Sequence, residues 1–233
     1  MGSLKNTFKR YEKKYMISES QYREIKKLLK DYAVADEFGS YTVCNLYFDT
    51  DSYEIIRRSI DKPVYKEKLR VRSYGIPSEE DMIYLELKKK YKKEVFKRRI
   101  LLTVKEFEDY IYKGIKPNQS EQILSEIDYY IDLYKPYPRI FIACEREALK
   151  GKDNETLRIT FDRNIRYRED SLSLLDGTEG SPIVDEGQYL MEIKAEGAMP
   201  IWLSHLINSM DIYPQSFSKY GYCYKHYLNA TTA

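Results

Sequence analysis

The sequence predicts an α+β fold: an eight-stranded antiparallel β-barrel, or an antiparallel sheet of about eight strands, with peripheral helices. Three observations predict it. Tyrosine is abundant, with 24 in 233 residues, and suits half-buried strand surfaces with one wet end. Long strand-like runs are joined by short turns, without the regular βαβα alternation of a parallel sheet. The 10 Gly and 8 Pro are too few for a linker-rich or disordered chain. Residues 1–233 therefore read as a single domain with a substantial core.

Each element has a local reason. Phe8 to Met16 reads as the first strand. Ser18 with Gln21 forms a capping box, and Tyr22, Ile25, Leu28 and Leu29 follow at helical spacing. Tyr41 to Asp49 is dense in β-branched and aromatic residues and reads as a strand, followed by a short helical connector around Tyr53, Ile55 and Ile56. Three strand-like runs come next, Val64 to Gly75, Met82 to Tyr91 and Lys93 to Leu102, broken at Ile76-Pro77-Ser78 and turning near Lys92. Thr103 with Glu106 caps a helix through Tyr112, and Asn118 with Glu121 is expected to cap another carrying Ile123, Ile127, Ile131 and Tyr134 on one face. Pro138 to Leu149, Thr156 to Tyr167 and Gln188 to Ala195 are further strands. Pro200 suits the first turn of a last helix with Leu203, Leu206, Ile207 and Met210. The segment Ser171 to Gly187, acidic and without a basic residue, reads as a solvated surface excursion.

Several function classes are excluded at this level. Lys and Arg number 39 against 37 Asp and Glu, so any anion site must come from how the charges are arranged rather than from net charge. No apolar run is long enough to span a membrane, and Met1 to Arg10 has no secretory apolar stretch. Cys44, Cys144 and Cys223 are widely separated and read as reduced thiols of a cytoplasmic protein. Only His205 and His226 occur, outside any metal-ligand spacing, and there is no P-loop. The pI of 8.2 is below that usual for a nucleic-acid-binding domain, and the tyrosines read as sheet packing and not as base-stacking platforms, so nucleic acid is not expected.

Side chains two apart on a strand share a face. Lys66, Lys68, Arg70 and Arg72 therefore lie together, opposite Leu69 and Val71. Glu86, Lys88 and Lys90 oppose Leu85 and Leu87; Lys97 and Arg99 oppose Arg98 and Ile100. Glu12 with Lys14, Arg158 with Asp162, and Glu192 with Lys194 and Glu196 repeat the step. Either these charges are surface decoration, or they line the lumen of a barrel. Crowding cations is repulsive by roughly 4 kcal/mol per close pair at an effective dielectric near 20, so a lined lumen requires water and an anion such as a phosphate chain. Carboxylates among them suit magnesium or manganese.

The ordered segments EKKY (12–15), NLYFDT (45–50), KLRVRSYG (68–75), LELKKK (85–90), KRR (97–99), RITFDRNIRYRED (158–170), MEIK (191–194) and SFSKY (216–220) resemble the VTC domain. This is the polyphosphate polymerase domain of the vacuolar transporter chaperone type and its bacterial relatives, a branch of the CYTH-like triphosphate tunnel metalloenzymes. The resemblance runs from about Phe8 to Tyr224.

It implies an eight-stranded antiparallel tunnel with Arg70, Arg72, Lys88, Lys194 and Lys219 at the reacting phosphates. Lys14, Lys97, Arg99, Arg158 and Arg168 would bind further phosphate groups, Ser216 and Tyr220 would touch the chain, and Arg146 is a possible addition. Glu192 would hold Mn2+ or Mg2+, with Glu12 and Glu86 as helpers. The implied activity is metal-dependent transfer of the ATP γ-phosphate to a growing polyphosphate chain. A tripolyphosphatase or nucleoside triphosphatase, or a non-catalytic polyphosphate-binding module, would use the same residues. The expected ligands are ATP and polyphosphate, with no nucleic acid; a membrane-protein partner stays open. The phosphate-sensing and membrane domains of the fungal proteins are not in these 233 residues, so channel translocation and vacuolar location are not implied.

Overall fold

The computed structural model describes residues 10–92 and 94–228. The expected strand starts at Phe8 and Lys93 lie outside them. In chain order the elements are β1 (Arg10–Ser18), α1 (Glu19–Leu29), β2 (Ala33–Asp49), α2 (Glu54–Ile60), β3 (Tyr65–Tyr74), β4 (Met82–Tyr91) and β5 (Glu94–Thr103). Then follow α3 (Val104–Lys113), α4 (Glu121–Tyr134), β6 (Tyr137–Gly151), β7 (Arg158–Arg168), the two-residue β8 (Ser181–Pro182) and β9 (Gln188–Glu196). The chain ends in α5 (Ile201–Ser209), α6 (Lys219–Cys223) and a π-helical turn, Tyr224–Leu228.

The long strands follow one hydrogen-bonded order, β1-β9-β7-β6-β2-β3-β4-β5, with β8 on β7. The pairs β1–β9, β2–β3, β3–β4, β4–β5 and β7–β9 are antiparallel. The α+β class with eight long strands is thus as expected, and the order is an open path, not a closed ring.

The chain packs as two compact units, each made of three segments. Unit 1 takes residues up to 41, 145–164 and 184–217; unit 2 takes 42–144, 165–183 and 218 onward. In unit 1, Ile25 and Leu29 of α1 and Leu203 and Ile207 of α5 bury against Ile159, Phe161, Met191 and Ile193 of the strands. In unit 2, Phe107 and Tyr110 of α3 and Leu124, Ile127 and Tyr130 of α4 cover Leu69, Val71, Leu85, Leu87, Ile100 and Leu102. Each of these strands therefore gives its apolar face to helices.

Both capping boxes at Ser18 and Thr103 are formed, each contributing about 1 kcal/mol to its helix. The third is not: α4 starts after Ser120, without a side-chain cap, so Asn118 stands outside the helix. Strand β2 begins at Ala33, eight residues before the sequence suggests, because acidic residues and Gly39 mask its first half. The segment after β7 is not a solvated excursion. Leu174 and Ile183 are buried, Ile183 N–H donates to the Ile165 carbonyl at 2.8 Å, and a Cβ at Gly180 would collide with the Tyr167 carbonyl.

Candidate phosphate and metal site

In unit 2 the alternation on β3, β4 and β5 is realised without a bulge. Arg70 pairs with Glu86, Lys68 with Lys88 and Lys66 with Lys90; Glu86 then pairs with Arg99 and Lys88 with Lys97. Paired residues project from the same side of a sheet. The predicted cations Arg70, Arg72, Lys88, Lys97 and Arg99 thus share the face turned away from the helix-covered core. Arg70, Arg72 and Lys88 are half-buried; Lys97 is more open.

Glu86 organises this face. Its carboxylate is 2% exposed and takes two bonds from Arg70, at 2.9 Å from Nε and 2.8 Å from Nη2. Lys97 Nζ pairs with the other oxygen. Burial alone would raise the carboxyl, but Arg70, Arg72 and Lys97 bring it down to about 2. With both oxygens occupied by cations, Glu86 is placed as an anchor for Arg70 and Lys97, not with the free oxygens a metal ligand needs.

Strand β2 supplies two partners that charge patterning did not single out. Tyr47 and Asn45 stand opposite Arg70 and Arg72. Arg70 Nη1 donates to the Tyr47 hydroxyl at 3.1 Å, and Arg72 Nε donates to Asn45 Oδ1 at 2.9 Å. Burial would push the Tyr47 phenol up, yet Arg70, Lys68 and Arg72 bring it down to about 8. The two-residue step Asn45–Tyr47–Asp49, against Leu46 and Phe48, was the available signal.

Two expected phosphate contacts are placed elsewhere. Arg168, 9% exposed, donates to the carbonyls of Ser171, Ser173, Gly177 and Glu179, and its guanidinium lies 3.7 Å from the Phe141 ring centroid. Its fork holds the acidic loop, whose carbonyls demand those donors once buried. Tyr220 is buried with its hydroxyl donated to Asp49 Oδ2 at 2.8 Å. Asp49 also accepts from the amides of Thr50, Ile55 and Ile56, so Tyr220 pins α6 to the start of α2. Lys219, at the first position of α6, is half-buried, and the Tyr220 ring sits 5.1 Å from that of Tyr47.

In unit 1 a second charged face spans β1, β9 and β7. Lys14 pairs with Glu192 and Glu12 with Lys194; Lys194 also pairs with Arg158 and Glu192 with Thr160. Lys194 Nζ lies 2.9 Å from Glu192. Burial would raise the Glu192 carboxyl, but Lys194, Lys14 and a hydrogen bond shared with Glu12 hold it well below the usual carboxylate range. Lys14 Nζ donates to the Phe217 carbonyl at 3.0 Å, and its own carbonyl accepts from Gln215 N–H at 2.7 Å, which sets exposed Ser216 beside it. Arg158 is nearly half exposed and bonds Asp36 and Tyr41. Arg146 forms a two-pronged pair with buried Asp162, at 2.6 and 2.7 Å.

The candidate donors for a divalent cation in unit 1 are Glu192 and Glu12, on the paired strands β9 and β1. Among the described residues no three His, Cys, Asp or Glu converge. Hard cations of this kind commonly take one or two carboxylates and complete their shell with water and phosphate oxygens, so the pair fits.

Residues 9–228 match the VTC domain family. The chain belongs to that family. A curated VTC relative, subunit 4 of the vacuolar transporter chaperone complex from Trypanosoma cruzi (strain CL Brener), is 22% identical over 246 residues. The match covers 88% of this chain and 30% of that protein, so this VTC chain corresponds to about a third of the relative's length. Among solved structures, a "putative adenylate cyclase" from Bacillus halodurans superposes with a TM-score of 0.54 at 16% identity, covering 89% of this chain and 92% of that one. A "putative adenylyl cyclase" from Hippeastrum, described as having a dominant triphosphatase activity, gives 0.47 at 12% identity over 91% and 93%. The tunnel-type fold expected of a VTC domain rests on the first. Among the described residues no helix is long and apolar enough to cross a membrane.

Proposed function

We propose that this VTC-family protein is a metal-dependent polyphosphate polymerase that transfers the γ-phosphate of ATP to the end of a phosphate chain in the cytoplasm. One observation carries the reading. In unit 2, Arg70, Arg72 and Lys88 are held half-buried on one strand face, with Arg70 fixed by Glu86 and Tyr47. A cluster of cations in excess of its carboxylate suits a polyanion.

In this reading Arg70, Arg72, Lys88, Lys97, Arg99 and Lys219 of unit 2 hold phosphate oxygens, as do Lys14, Arg158, Lys194 and Ser216 of unit 1. Glu192 and Glu12 would hold Mn2+ or Mg2+, which when bound supplies charge neutralisation of the phosphate oxygens. A terminal oxygen of the chain attacks Pγ in line; the new P–O bond forms as the bond to the β-phosphate oxygen breaks, and ADP leaves with that electron pair. Arg70 and Arg72, oriented by Glu86, Tyr47 and Asn45, stabilise the charge on the transferring group. No side-chain nucleophile is required.

The test is incubation with ATP and manganese, followed by gel staining for long phosphate chains and an assay for free phosphate. Chains support the polymerase. Free phosphate alone replaces it with a triphosphatase, and tight chain binding without turnover replaces it with a binding module.

A further inference from the structure

We infer that the Thr160 hydroxyl is a third protein oxygen of the divalent-cation site of Glu192 and Glu12. This rests on the metal reading proposed above and extends it to a neutral ligand on a different strand.

The first ground is register. Thr160 on β7 is the antiparallel partner of Glu192 on β9, and Lys14 on β1 is the partner of Glu192 from the other side. Directly opposed side chains leave the sheet on one face with Cβ atoms about 5 Å apart. Glu12, two residues before Lys14 and paired with Lys194, is on that face too. Three oxygen-bearing side chains from three adjacent strands therefore project together.

The second ground is independent of the carboxylates. Thr160 is only 3% exposed, and its Oγ1 has no hydrogen-bond partner among the described residues. Buried hydroxyls are nearly always satisfied, and one that is not calls for an explanation, of which a bound ion is one. Its neighbours on the strand show no such gap: Asp162 is gripped by Arg146 and Arg158 bonds Asp36.

The third ground is chemistry. A hydroxyl is a hard oxygen donor of the type magnesium and manganese accept, as nucleotide-binding enzymes show with a Ser or Thr on their Mg2+. It adds a ligand without adding charge, which matters on a face where Lys14 and Lys194 already balance the carboxylates.

The experiment compares wild type, Thr160→Val, Thr160→Ser and Glu192→Gln as full chains. Mn2+ binding is read by electron paramagnetic resonance without nucleotide, and thermal unfolding is read in EDTA. Thr160→Val should weaken Mn2+ binding roughly five- to tenfold, the range of one lost hydrogen-bond-strength contact, while Thr160→Ser stays within about threefold of wild type. In EDTA, Thr160→Val should unfold no earlier than wild type, because valine removes an unpaired polar atom. Wild-type Mn2+ affinity in Thr160→Val, with binding lost in Glu192→Gln, overturns the inference and leaves the carboxylate site standing. Unchanged binding in Glu192→Gln overturns the metal reading itself. Earlier unfolding of Thr160→Val in EDTA, or a loss confined to metal-free tripolyphosphate binding, gives the hydroxyl another partner and also overturns the inference.

Discussion

Arg70 grips Glu86 through Nε at 2.9 Å and Nη2 at 2.8 Å while the carboxylate also holds Lys97. The carboxylate is buried, whereas Arg70 and Lys97 are partly solvated. Breaking a fully buried pair costs about 3–5 kcal/mol, and partial exposure discounts it. Glu86→Gln should therefore lower unfolding stability by roughly 2–3 kcal/mol in urea titrations. Its pH dependence has a definite sign. The folded carboxyl lies at about 2 against an ordinary 4.5, so its contribution is complete above the ordinary value and lost as pH falls towards 2. The variant should lack that acid-side loss, and an unchanged stability profile would remove Glu86 as the anchor.

Tyr47 carries the opposite limb. Its phenol, at about 8 instead of 10.0, is ionised in the folded protein across a window where the unfolded chain keeps its proton. Stability attributable to this group should rise with pH over that interval. Phosphate affinity should fall by roughly three- to tenfold across it, since a negative charge appears beside Arg70. Ultraviolet titration should find one tyrosine ionising near pH 8, absent in Tyr47→Phe. If the variant keeps that step, the environment assigned to Tyr47 is wrong.

Strand parity made most of the charged faces legible in the sequence. It put Lys97 with Arg99, Arg70 with Arg72 and Glu192 with Lys194 on shared faces, because a period of two leaves no freedom once a strand has no bulge; which of these residues meet across strands came only with the register. Parity says nothing about what a side chain bonds to. Arg168 sat in a plausible run but folds back onto four loop carbonyls; that demand arises only when the loop packs. Tyr220 is expected from the family resemblance to touch the chain, yet its hydroxyl meets Asp49, 171 residues earlier. Tyr47, Asn45 and Thr160 were on the right faces and passed over because they are uncharged.

Arg168 offers a direct test of its assigned place. Arg168→Ala should leave the loop carbonyls unpaired and expose residues 171–179, at a cost of roughly 2–4 kcal/mol for several lost bonds to a charged donor. Hydrogen exchange should accelerate in that loop, while tripolyphosphate affinity stays within about twofold. A large loss of affinity without faster exchange would return Arg168 to the phosphate contacts.

Lys97 and Arg98 are adjacent in sequence and belong to opposite faces. Lys97 pairs across the sheet with Lys88 and reaches Glu86. Arg98 pairs with Leu87 and reaches Glu126 on α4 at 3.0 Å, where Lys89 also binds at 2.8 Å. One residue of strand thus separates a group facing the phosphate cations from one tying down a helix. Lys97→Ala should weaken polyphosphate binding several-fold and flatten its salt dependence, as one fewer cation meets the chain. Arg98→Ala should leave both unchanged and loosen α4 by about 0.5–1 kcal/mol, the worth of a partly exposed ion pair. Isothermal titration at two salt concentrations reads the first effect, and exchange of the α4 amides reads the second. Reversed outcomes would mean that β5 is shifted by one residue, which would turn Arg99 away from Glu86 as well.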